Sequence, residues 1–263
     1  MYMFTEADPM QSLISRLRLV GPLGRESGSE NASSLPVVGG SHDPLLEWAL
    51  RESGCGLAHR PEGSGAGLQR FADGEIVAAA IHLHAFDRDS DENVAIMRSE
   101  PWLRDAVLIG FVRREQGILV ALGNPLGIRG VTDMDGAGAR VAIRPSGAGA
   151  QLLLESLLMR ENLDISKLDV VLPACLTGPD IGVAVRSGRA DCGIATRSVA
   201  NALGLSFVSL VWERFDLVVR QRDYFRPPLQ TLLSFLQTTT FRRYAEEAGG
   251  YDLSEMGGIR FAP

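Results

Sequence analysis

Cysteine is scarce in this chain, and its three copies, Cys55, Cys175 and Cys192, lie far apart. A disulfide framework or a zinc site needs closely spaced pairs, so neither organises the fold. Small buried hydrophobes in a reducing compartment are the expectation for all three. No apolar run approaches the roughly 18 residues of a membrane span. The formal net charge is −6 and the basic residues are scattered, which gives no pull on a polyanion and argues against direct nucleic-acid binding. The N-terminus carries Glu6 and Asp8 and lacks a basic segment leading into an apolar core. No secretory signal is read there, and a cytoplasmic location is expected.

Enzymatic signatures are missing too. There is no Gly-x-Ser-x-Gly elbow, no His-Glu-x-x-His, no phosphate-binding Gly-x-x-x-x-Gly-Lys-Ser/Thr and no Cys/His pairing. Ser41 beside His42 is no triad, because adjacent side chains on a turn diverge. No catalytic residue, metal or cofactor is expected.

What the chain does have is enough apolar residue, 45% of 263, to bury a sizeable core. Residues 1–34 hold an amphipathic stretch, Ser12 to Val20, and then a Gly/Ser-rich run; they read as a flexible tail or linker. From Pro36 strand and helix patterns alternate. Strands are expected at 36–38, 56–59, 76–83, 105–113, 117–121, 139–144, 168–172, 190–195, 205–210 and 215–219. Helices are expected from Pro44, from Leu68, and over 148–161, 178–187, 197–203 and 229–248. Such βαβα order predicts parallel sheets covered by helices, in two similar lobes.

One arrangement recurs: an apolar run, a Ser/Gly turn, then an amphipathic stretch. Its copies are Val37 to Asp43, Gly63 to Gly67 and Arg144 to Gly149. Each places free backbone N–H groups and the positive end of a helix dipole at a turn, which favours an anion. Ser41 with the amides of His42 and Asp43, then Ser64 and Gly65, then Ser146, Gly147 and Ala148, are the candidate donors. Asp43 is assigned to capping its own helix, with Pro44 at the first helical position. His42 either donates to the ligand or makes a structural hydrogen bond, and Arg144 either clasps an oxyanion in bidentate fashion or faces outward. Thr177 and Asp180 suit helix capping, with the Thr177 hydroxyl also a candidate for the cleft. His82 and His84 share one side of a strand and fit a metal with Asp87, a cleft wall, or plain packing. Glu213-Arg214 is either an interlobe ion pair or a solvated one.

The runs Val38 to Leu46, Gly63 to Leu68, Ser187 to Ile194 and Glu213 to Leu217 resemble the PBP-like domain. That domain occurs behind helix-turn-helix regions in bacterial regulators and at the C-terminus of some molybdopterin-biosynthesis proteins, and is similar to periplasmic molybdate- and tungstate-binding proteins. The resemblance runs from about Pro36 to Tyr251. It implies an α/β, two-lobed type II periplasmic-binding-protein-like fold, each lobe a mostly parallel sheet flanked by helices, with a two-segment hinge near Gly110 to Arg113 and Leu210 to Arg214. Lobe 1 would comprise 35–111 plus 212–263, and lobe 2 would comprise 112–211. Residues 1–35 are too short and too Gly/Ser-rich for a helix-turn-helix. The implied function is non-catalytic capture of a small oxyanion such as molybdate or tungstate, for sensing or delivery, with a regulatory or biosynthetic protein as partner. The alternative is a module that binds a larger molybdopterin-type or other phosphorylated compound.

Overall fold

The computed structural model describes residues 35–83 and 91–263. The expected N-terminal tail, residues 1–34, and the metal candidates His84 and Asp87 lie outside them. Among the described residues no helix is long and apolar enough to cross a membrane.

Strand β1 (Leu35–Gly40) leads through Asp43 into α1 (Pro44–Glu52), and the Asp43 carboxylate accepts from the amides of Leu45 and Leu46, as its position predicts. After β2 (Ala58–Pro61), α2 (Ser64–Ala72) begins four residues before the expected Leu68, with Gly63 as an N-cap that offers no side chain. Its tight seat against β1 explains the glycines: a Cβ on Gly67 would fall 2.3 Å from Gly40 Cα. Next come β3 (Ile76–Ile81) and α3 (Glu92–Ser99), the latter not foreseen in the sequence.

Two strands of 15 residues each dominate the rest of the chain. β4 (Ala106–Val120) is continuous where two strands, 105–113 and 117–121, were expected, and β8 (Ser206–Arg220) likewise merges 205–210 with 215–219. Polar residues between the apolar runs suggested breaks, yet Arg114, Glu115, Gln116 and Glu213 are buried within the paired strands. Between the two lie α4 (Thr132–Gly136), β5 (Arg140–Ala142), α5 (Gly149–Arg160), β6 (Asp169–Val171), α6 (Gly178–Arg186), β7 (Cys192–Thr196) and α7 (Arg197–Leu203). The C-terminal segment is α8 (Gln221–Tyr224), α9 (Pro227–Leu236), α10 (Thr239–Ala248), β9 (Tyr251–Asp252) and β10 (Ile259–Phe261). The expected helix 229–248 is thus two, because Thr238 caps a fresh start by accepting from the Phe241 amide.

The sheet order is β2-β1-β3-β8-β4-β7-β5-β6, with β9 and β10 also paired to β4. Pairs β1–β2, β1–β3, β5–β6 and β5–β7 are parallel, while β3–β8, β8–β4 and β4–β7 are antiparallel. Within each lobe the expected parallel pairing is present, in β2-β1-β3 and in β7-β5-β6, and the sheet as a whole is mixed because the two long strands that join the lobes run against their neighbours. Each lobe has a core on both faces, fed by neighbouring residues of one strand as the two-residue period requires. Leu108 joins Leu68 and Phe71 while Ile109 joins Leu45 and Phe241; further along, Ile118 joins Leu153 and Val141 while Leu119 joins Ile181 and Val199. The expected crossover segments fall inside β4 and β8, where Val112 faces Phe215 and Arg113 faces Arg214.

Candidate functional site

Between the lobes lies a cavity of ≈ 30 Å³. Lobe 1 contributes Ser41, His42, Pro44, Gly63 and His82 to its wall, and the facing lobe contributes Arg144, Ala148, Gly149 and Ala150. The first residues of α6, Gly178 and Pro179, complete the rim, and Arg114 and Gln116 of β4 form the floor. Parallel strands of an α/β layer deliver their following helices to one edge, so the starts of α1, α2, α5 and α6 all reach this space. Neither α2 nor α5 has a side-chain cap. Their first-turn amides, with the positive ends of the dipoles, are open to an anion.

Contact between the lobes is close. A Cβ on Gly149 would lie 1.8 Å from His82 Nε2, and a Cβ on Gly63 would be 3.6 Å from the Gly147 carbonyl oxygen. The His82 ring is stacked against Phe215 with centroids 5.8 Å apart.

The floor carries a buried ion network. Arg114 donates through Nε to Glu213 Oε1 at 2.5 Å, and through Nη1 to Asp43 Oδ2 at 2.9 Å and to the His42 carbonyl at 3.0 Å. Its guanidinium also covers the Phe215 ring, 4.3 Å from the centroid. Burial works against this charge, but Glu213 and Asp43 outweigh it and hold the guanidinium above its ordinary pKa. Tyr251 reaches the same network, 3.4 Å from both Asp43 oxygens and 2.9 Å from Ser198 Oγ; burial, then Asp43, pushes its phenol well up.

Arg144 is the other cation. Its Nη2 donates to the Leu176 carbonyl at 2.6 Å, and its Nε is buried with no hydrogen-bond partner. It forms no ion pair among the described residues, and burial, then the Arg114 charge, pushes its pKa down.

Of the residues singled out in the sequence, Ser41, His42, His82, Arg144 and Ala148 line the cavity, so His82 takes the cleft-wall role among its alternatives. Ser64 stands just behind it, its Oγ 2.7 Å from Ser41 Oγ and accepting from the His82 amide at 3.1 Å. Gly65 is buried in the first turn of α2 outside the lining, Gly147 lies at the interlobe contact beside it, and Ser146 is exposed and outside it. Thr177 is also outside: its hydroxyl is bound into a capping box with Asp180, so the capping role stands and the cleft role does not. His42 makes the structural bond, 3.0 Å from Glu47 Oε2, while its ring still borders the cavity. Glu213 and Arg214 do not pair with each other; Glu213 takes Arg114 and Arg214 takes Glu255. No group of His, Cys, Asp and Glu among the described residues suits a metal ion.

Arg114, Gln116, Gly149 and the start of α6 were not read from the sequence as site residues. The signal for the first two was the polar run Arg113-Arg114-Glu115-Gln116 inside an otherwise apolar segment, which marks side chains aimed into a gap.

The PBP superfamily domain model matches residues 46–237 of the chain. The uncharacterised Bacillus subtilis protein YvgK is 28% identical over 186 residues, covering 68% of this chain and 58% of its own length. The chain therefore spans under two thirds of that relative. Among solved structures, the tungstate ABC transporter protein of Geobacter sulfurreducens aligns with a TM-score of 0.57 at 12% identity, over 80% of this chain and 97% of that one. The CcmR regulatory domain of Synechocystis PCC6803 in complex with 2-PG aligns at 0.53 and 13%, over 76% and 93%. At these identities the likeness speaks for the fold, which is the type II periplasmic-binding-protein-like one that the sequence motifs imply. With its lobes meeting over a cavity of converging helix starts, the chain belongs to the PBP superfamily domain family and is a ligand-binding α/β domain.

Proposed function

We propose that the cleft captures a small oxyanion, in the molybdate and tungstate size class, without converting it, and that closure of the lobes is the output of a sensing or delivery role. Arg144 carries the reading. Its half-buried guanidinium lines the cavity among helix starts and forms no ion pair among the described residues, so an anion in the cleft would supply the counter-charge it lacks. Arg114 cannot serve this way, because Asp43 and Glu213 already neutralise it. The two resembling structures, one of a tungstate transporter and one holding 2-PG, are consistent with an anionic ligand.

Size favours a small ligand over the molybdopterin-type alternative. A cavity of ≈ 30 Å³ is an order of magnitude below the roughly 300–1,000 Å³ of drug-sized pockets. By the same kind of measure a single water needs about 10–15 Å³.

Thermal denaturation of the chain against tungstate, molybdate, sulfate, phosphate and small carboxylates tests this. A true ligand at 100 times its Kd stabilises by about 2.7 kcal/mol. Arg144→Met should weaken that ligand by about 1.5–3 kcal/mol, the range of a charge-assisted hydrogen bond, without lowering ligand-free stability. A melting temperature raised by molybdopterin compounds and by none of the small anions would transfer the assignment to the larger-ligand alternative.

A further inference from the structure

The lobes meet again outside the cleft and the β4–β8 ribbon. By its packing the C-terminal segment belongs to lobe 1: Phe241 and Ala245 of α10 lie in one core with Leu45 and Phe111, and Tyr251 and Leu253 pack against it. The same segment runs over α7, whose Val199 and Ala200 lie in a core of the other lobe with Leu119 and Ile181. Where α10 ends, Asn201 Nδ2 of α7 donates to the Ala248 carbonyl at 2.8 Å. The backbone then passes through Gly249 and Gly250 at φ of 72° and 75°, a region that other residues rarely adopt. A side chain would not fit there either. A Cβ on Gly250 would lie 2.6 Å from Arg197 Cβ, and one on Gly249 would lie 2.6 Å from Asn201 Nδ2. The chain next joins β4, whose Glu115 amide donates to the Gly250 carbonyl at 2.9 Å and whose Arg114 pairs with Tyr251.

Tyr251 completes the crossing. Its hydroxyl stands 3.4 Å from both carboxylate oxygens of Asp43, on lobe 1, and 2.9 Å from Ser198 Oγ, on α7. A carboxylate only accepts, so the phenol gives its proton to Asp43 and its oxygen takes that of Ser198. Ser198 Oγ is in turn 2.9 Å from Thr196 Oγ1, and Thr196 lines the cavity. Asp43 caps α1, whose first residue, Pro44, lines the cavity from lobe 1. The run Thr196, Ser198, Tyr251, Asp43 therefore ties the two walls together through side chains that stand outside the lining.

We infer that the C-terminal segment is a strap that favours the closed form, and that Tyr251 is a positioning residue that sets how firmly the cleft holds a ligand without touching it. The inference rests on the closure reading of the cleft and deepens it, independently of which anion binds. Opening carries α7 away from lobe 1, so the Tyr251 hydroxyl cannot keep both Asp43 and Ser198, and Asn201 parts from the Ala248 carbonyl. Bonds made in the closed form alone raise its population.

Tyr251→Phe and Asn201→Ala in the full chain test this, since each removes one strap bond and leaves the cavity lining intact. The loss is read in one of two places, set by the resting state. In a chain that rests closed, hydrogen exchange should become about three- to tenfold faster in the first turn of α5, which His82 of the other lobe covers, while β1 and β5 keep wild-type protection. In a chain that rests open, calorimetry with the tightest anion of the panel should show about three- to tenfold weaker binding. Wild-type exchange together with wild-type affinity in both variants would overturn the inference. So would exchange raised uniformly over both lobes, the mark of a general support of the fold. Faster exchange confined to the α5 turn, in a chain that binds no anion of the panel, would uphold the strap and remove the anion reading. Wild-type exchange in a chain that binds none would remove both. If Tyr251→Phe does not fold, Asn201→Ala decides alone.

Discussion

Gly149→Ala separates closure from folding. Gly149 opens α5 on one lobe, and the imidazole of His82 belongs to the other. An added Cβ would sit 1.8 Å from His82 Nε2 and 2.5 Å from Cδ2 and Cε1. Carbon contacts settle near about 3.5–4.0 Å, so the two surfaces must part by about 2 Å or the ring must move. The ring is 5% exposed and stacked on Phe215, which leaves it little room. Overpacking of this kind costs about 1–3 kcal/mol, which as a loss of closed-state affinity is about 5- to 150-fold in Kd. Alanine is the better helix former, by up to about 1 kcal/mol, so lobe 2 itself is not weakened. Calorimetry with the tightest anion of the panel, paired with ligand-free thermal denaturation, reads both quantities. The expected result is weaker binding at an unchanged or raised melting temperature. Wild-type affinity in Gly149→Ala, or a fall in ligand-free stability as large as the fall in affinity, would refute the view that this contact is made on closure.

Serine substitutions distinguish the cavity wall from its surroundings: Ser41→Ala should cost about 1–3 kcal/mol of anion affinity, while Ser146→Ala, at an exposed position outside the lining, should cost nothing measurable by titration. Arg114→Leu removes the guanidinium that Asp43 and Glu213 share. Urea denaturation should reveal a loss of about 3–5 kcal/mol, and a loss below about 1 kcal/mol would contradict the assigned network. Burial pushes Asp216 up to about 7 against the opposing pull of Arg260 and Asn93. The folded chain then holds a proton that the unfolded chain releases near 3.8, so this contribution to stability is complete below about 4 and is lost as pH rises through about 7. Asp216→Asn should flatten that slope in a pH series of thermal melts; an unaltered slope would remove Asp216 as its source.

Where the physics is local, the sequence was readable. The bounds of α7 agree with the expected 197–203, and α5 and α6 agree to within a residue at each end, because capping residues and a 3.6-residue period lie within a few positions of each other. The capping box of Thr177 and Asp180 follows from their spacing alone. Cys55, Cys175 and Cys192 are all buried and unbridged, and burial pushes Cys192 up to about 12, as suits a packing residue rather than a nucleophile. What stayed hidden depends on distant partners. Arg114 can sit inside a strand because Glu213, 99 positions away, neutralises it, and no local window contains both. Ser146 failed as a candidate for the complementary reason: the motif marked the right turn, but which of its residues faces the gap is decided by lobe packing.

The continuity of β4 and β8 has a mechanical consequence. A joint made of loops swings freely, whereas here the chain passes between the halves twice as a single hydrogen-bonded ribbon whose register slips between Gly110 and Val112 and again between Gln116 and Gly117. Under the proposed closure, angular travel becomes flexure of a leaf spring whose two register slips are its notches. One notch adjoins Gln116 itself, so a ligand captured as proposed would load the spring beside the place where its register slips.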